Sequence, residues 1–216
     1  MANREFRRSQ WLAAARARVR DAYARMPPDV LADLGRSFAR VRKARTPRQA
    51  VAALEGEIEY LFDGLAPSMV DRPLPLRTPA RALTAIALVA GAAALVDEIE
   101  AIALLIPGVD AAAIPTLPLV AAAALSALAL EAYMAASLRV HMLRSAGVPV
   151  HPDRVVHDTL QAMTGRAEVR ISKVGAQMLT RRMLRRWSRG VVPLVGIGYA
   201  SWDARRTIQT IARMPV

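Results

Sequence analysis

The chain contains no cysteine, which excludes disulfides, zinc–thiolate centres and thiol nucleophiles. Aromatic residues make up only 5% of it, and no stacking platform for bases is visible. Lysine is nearly missing as well: Lys43 and Lys173 are the only two, so arginine supplies almost all the positive charge. No Ser/His/Asp arrangement, phosphate loop or dinucleotide fingerprint is present, which argues against a conventional enzyme and calls for no cofactor. The most informative absence is regional. From Ala82 to Leu138 the chain runs 57 residues without lysine or arginine, although those two types fill 30 of its 216 positions.

Charge is therefore segregated. Residues 1–81 carry a net +7, the middle −5, and residues 139–216 carry +10. A chain of this length supports a sizeable core, and 54% hydrophobic residues exclude wholesale disorder.

Periodicity is helical throughout and predicts an all-α multi-helix bundle. Trp11, Ala15, Val19, Ala22 and Met26 share one stripe. Pro27 and Pro28 end that helix, and a second spans about Asp29 to Lys43 with Leu31, Leu34, Phe38 and Val41 inward. Thr46 before Pro47 is a cap and first-turn pair for a third helix. Its inward stripe is Val51, Leu54, Ile58, Leu61 and Leu65; Glu55, Glu57 and Glu59 should face water, and Gly64 and Pro67 should end it.

Four prolines between Pro67 and Pro79 read as an extended connector. The expected organisation is a basic helical arm over 1–66, a proline-rich linker over 67–79, and a helical body over 80–216 containing a hydrophobic hairpin at 80–146. Thr78 and Pro79 open the first hairpin helix, Pro107 and Gly108 break it, and the second runs from about Leu119 to Ala146, with Gly147 as a left-handed stop. Further helices are expected over about 152–163, 167–188 and 193–213.

A spanning helix needs about 20 apolar residues. The first candidate, Ala82 to Ile106, takes in Asp97, Glu98 and Glu100; the second, Leu119 to Leu138, includes Glu131. Such a hairpin places Arg72, Arg77, Arg81, Arg139 and Arg144 on one side, as the positive-inside rule requires. The start of the chain does not read as a secretory signal, because arginines interrupt its apolar residues. The alternatives to insertion are a peripheral or re-entrant attachment, or a pair of Ala-rich helices packed closely inside a protein core.

The candidate membrane-surface contacts are Arg7, Trp11, Arg18, Arg25, Arg77, Arg81, Arg139 and Arg144, cations and a ring suited to anionic lipid headgroups. For the N-terminal helix the plainer reading is a stripe packed on protein. Asp97, Glu100 and Glu131 form a candidate buried acidic cluster, able to hold a cation or relay protons, or else to pair with arginines of flanking helices. Pro193, Gly196 and Ala200 open a small-residue helix face suited to close packing. His141, His151 and His157 are the only histidines; Asp153 and His157 lie one turn apart, but two ligands without a third do not make a metal site.

Two stretches carry a family resemblance. Pro193, Leu194, Val195 and Gly196 lead into a Gly/Ala helix ending in Arg205, Arg206 and Arg213; Glu131 runs through Leu138, Arg139, Val140 and His141 to Ala146, Gly147 and Val148, then His151, Pro152, Asp153 and Arg154. Together these cover about a third of the chain and resemble the EcsC family, with Ala146 where that family usually carries tyrosine. The resemblance implies a bacterial helical protein linked with membranes or transport systems, and supplies no catalytic residues. The resulting expectation is a scaffold or modulator at the cytoplasmic side of the inner membrane, with anionic lipid and a protein as partners and room for a homo-oligomer. The alternative is a basic helical module without membrane attachment, binding nucleic acid or an acidic protein through clusters such as Arg181, Arg182, Arg185 and Arg186.

Overall fold

Helix ends are set by the residues that punctuate the sequence. The computed structural model describes residues 17, 24–76, 78–83, 116–166, 173–190 and 195–216. Six long helices lie among them: α1 (Pro28–Arg42), α2 (Pro47–Asp71), α3 (Thr116–Ser145), α4 (Pro152–Thr164), α5 (Lys173–Gly190) and α6 (Val195–Arg213). There is no strand among the described residues, so the all-α class stands. Thr46 caps α2, its hydroxyl accepting from the Gln49 amide at 3.2 Å. α3 ends with Gly147 at φ +70°, where the Val148 amide donates to Leu143 O at 3.0 Å and the Gly147 amide to Arg144 O at 3.1 Å. That pair of bonds is the left-handed helix stop expected of glycine. Gly165 ends α4 in the same backbone region, at φ +73°.

α3 is the central rod. It packs against α1, α2, α4 and α6, and every residue from Leu128 to Val140 is buried. A helix apolar on all sides needs either lipid or protein around it; here protein supplies the surround. Ala129, Ala132, Ala135 and Ala136 let neighbouring helices approach, while Leu128, Leu130, Leu138 and Leu143 fill the space between them. Each such leucine contributes about 1.5–3 kcal/mol by leaving water. Leu119 to Leu138 was the second candidate span, and over its described side chains it is enclosed by its own polypeptide. Among the described residues no helix is long and apolar enough to cross a membrane. The other candidate, with Asp97 and Glu100, lies outside the described residues from position 84 onward.

Residues read from sequence as an arm contribute Val30, Leu34, Leu54 and Ile58 to the same core as Leu138, Leu160, Leu179 and Ile208. α2 also continues through Pro67 to Asp71 instead of stopping near Gly64. An interior proline costs about 3 kcal/mol, but the extra turn buries Met69 and Val70, which returns a similar amount.

One face of α3 also holds that turn and the segment after it. The Tyr133 hydroxyl donates to Arg72 O at 2.6 Å and to Ser68 O at 3.3 Å. Arg144 donates to Val70 O at 2.9 Å, and His141 Nε2–H to Leu74 O at 2.7 Å. Ser137 Oγ accepts from the Leu74 amide at 2.9 Å. These four side chains lie three or four residues apart, hence on one face. Tyr133 and Arg144 satisfy carbonyls that the helix end leaves open, while His141 and Ser137 hold the carbonyl and amide of Leu74. The start of the proline-rich segment is thus a docked strap, with Leu74 buried.

Candidate interaction surface

Charges paired inside the bundle are not available for binding. Arg182 on α5 is buried between α3 and α6. Its Nε donates to Asp203 Oδ2 at 2.8 Å; its Nη2 donates to Glu131 Oε1 at 3.0 Å and to Thr207 Oγ1 at 2.8 Å. The Thr207 hydroxyl in turn donates a hydrogen bond to Glu131 Oε1 at 2.7 Å. Of the expected acidic cluster, then, Glu131 is an arginine partner, while Asp97 and Glu100 lie outside the described residues. A charge removed from water requires this pairing.

A second network surrounds Arg139, which is 1% exposed. Its Nε donates to Asp158 Oδ2 at 2.7 Å and its Nη2 to Pro215 O at 2.7 Å, tying α3 to α4 and to the end of the chain. Arg139 was expected at a membrane surface. It is instead an internal cation, because α3 is enclosed at that level and Asp158 supplies the counter-charge. A third pair, Arg40 with Glu57, joins α1 to α2, its second bond 2.6 Å long. Glu57 was expected to face water and is buried, on the flank of α2 that meets α1.

Arg25 and Arg81 are exposed. Arg144 is exposed but gives one bond to Val70 O. Arg7, Trp11, Arg18, Arg77 and Pro193 lie outside the described residues. Gly196 belongs to the first turn of α6, and Ala200 is buried. Asp153 is exposed with His157 half-buried, and no group of three metal-ligating side chains exists among the described residues.

Among the described side chains, arginine predominates on the exterior of the α5–α6 pair. Residues 173–216 hold nine basic side chains and one acidic one, Asp203, and that carboxylate is buried against Arg182. On α6 the inward arc comprises Asp203, Ala204, Thr207, Ile208 and Ile211, and the outward arc Trp202, Arg205, Arg206, Gln209 and Arg213. Arg181 and Arg185 are exposed on α5. Among the described residues no carboxylate pairs with Arg181, Arg205, Arg206 or Arg213. Trp202 is 55% exposed. Its ring centroid lies 5.8 Å from that of Tyr199, and the Arg206 guanidinium carbon sits 5.9 Å from it.

Sequence reasoning does not single out this arc, although its spacing of three and four residues is visible in the sequence. It also passes over Asp158, Asp203 and Thr207, and it counts Arg182 in a surface cluster although that side chain is buried. Their significance arises only when helices meet.

No protein-family model, no curated protein and no solved structure matches this chain.

Proposed function

We propose that this protein is a helical scaffold or modulator that attaches peripherally to an anionic membrane surface and presents a partner protein there, without catalytic turnover. One observation carries the reading: Asp203, the one carboxylate of residues 173–216, is buried against Arg182, which also takes up Glu131, so the charge left outside the α5–α6 pair is cationic. Anionic lipid attracts such a surface by about 1 kcal/mol per arginine near the headgroups. Burial of α3 supports attachment from the side rather than through it. The EcsC resemblance agrees with a bacterial protein at the cytoplasmic face of the inner membrane.

The test is fractionation of cells expressing the full chain, with membranes washed first in high salt and then in alkaline carbonate. Peripheral electrostatic attachment predicts release by salt. Resistance to both washes would indicate insertion. Recovery with the cytosol would favour the alternative, a basic module for nucleic acid or an acidic protein, which draws on the same exposed arginines.

A further inference from the structure

We propose that the outward arc of α6 is the element that touches the bilayer, with Trp202 at headgroup level and Arg205, Arg206 and Arg213 on lipid phosphates. This rests on the membrane reading and names the surface that executes it, a surface distinct from the basic flanks of the middle segment.

The arc is continuous. From Trp202 to Arg213 it covers about 16 Å of helix at 1.5 Å per residue, long enough to lie along a row of headgroups. It contains one aromatic ring, three arginines and a glutamine, and no acid. The helix is also held at a fixed rotation. Arg182 grips Asp203 and Thr207 from behind, and Ile208 and Ile211 are wholly buried, so the arc cannot roll inward. A surface fixed before contact loses little conformational freedom on binding.

The chemistry favours lipid over nucleic acid. An indole left more than half exposed, with an arginine over its ring, has the form of an interfacial anchor: the ring seeks the headgroup boundary while guanidinium groups reach phosphate. Sequence-tolerant nucleic-acid grooves stack successive bases on successive rings. Among the described side chains, the positions that follow Trp202 on the arc are Arg205, Arg206, Gln209 and Arg213, and the large apolar residue exposed on neighbouring α5 is Val174, an aliphatic side chain with no face for a base.

The experiment uses the full chain with vesicles of phosphatidylcholine alone and of phosphatidylcholine with phosphatidylglycerol. It reads co-sedimentation and tryptophan emission in low salt. The chain has three tryptophans, so the Trp202 signal is the difference between wild type and Trp202→Phe. The expected result is binding to the anionic vesicles only, a blue shift absent from Trp202→Phe, and partitioning weakened about tenfold or more in Arg205→Gln/Arg206→Gln. All three positions are exposed, so the variants should keep the wild-type thermal unfolding curve. If the double variant binds as well as wild type and Trp202 emission does not move, the arc is not the contact, although the membrane reading stands. If wild type ignores anionic vesicles, both fall. If it ignores them but binds a single-stranded oligonucleotide with Trp202 quenched, the arc serves nucleic acid and the proposal is overturned.

Discussion

Arg182 and Asp203 meet at 2.8 Å between α5 and α6, and Glu131 of α3 accepts from the same guanidinium at 3.0 Å. One cation thus joins three helices. Removing it takes a charge partner from two buried carboxylates, a loss of the kind that costs about 3–5 kcal/mol. Arg182→Met should lower the urea-unfolding free energy by that amount. Adding Glu131→Gln should restore part of it by deleting one of the stranded charges. A double variant no more stable than the single one would show that Glu131 is not held by Arg182.

Tyr133 gives a pH signature. Burial, reinforced by the negative charge of Asp29 and opposed by Arg72, pushes its pKa up to about 12 from an ordinary 10. The folded state therefore holds a proton that the unfolded state gives up. The stability tied to it is complete below pH 10 and is lost as pH rises from 10 to 12. Tyr133→Phe removes two hydrogen bonds to the end of α2 and should cost about 1–2 kcal/mol at pH 8. The variant should lack the part of the alkaline decline due to Tyr133, which denaturation curves taken at several pH values would reveal.

Local chemistry made the helix ends legible: Thr46 with Pro47 opens α2, and Gly147 and Gly165 close α3 and α4 as their types require. Burial of charge was not legible. Arg139 looks like a flanking cation until Asp158 faces it, and Glu57 looks like a wet residue until Arg40 arrives from another helix. Pro67 reads as a stop because its local cost is plain, whereas the compensation comes from packing by Met69 and Val70. The alanine-rich run of α3 fits lipid or protein equally, since composition does not say which neighbours it meets.

Gly147 tests the local rule. Space is open around its Cα, but its φ of +70° is unfavourable for any residue with a Cβ. Gly147→Ala should cost about 1 kcal/mol, from backbone strain alone, as measured by thermal or urea unfolding.

The two arginines beside Asp158 should differ sharply. Arg139 is buried at 2.7 Å, and Arg154 reaches from the surface at 3.9 Å. Asp158→Ala should cost about 3–5 kcal/mol by stranding Arg139, whereas Arg154→Ala should cost no more than about 1 kcal/mol. Comparable losses in both variants would place Arg139 outside the core.

Ala135 lies at the centre of α3 with no exposed surface, and the lack of native cysteine makes a single Ala135→Cys thiol a clean reporter. In membrane-bound full chain it should resist both water-soluble and lipid-soluble maleimides until urea unfolds the protein, while Ala39→Cys on the exposed side of α1 reacts at once. Prompt labelling of Cys at 135 by the lipid-soluble reagent alone would put α3 in hydrocarbon and contradict a membrane attachment made from outside the bundle.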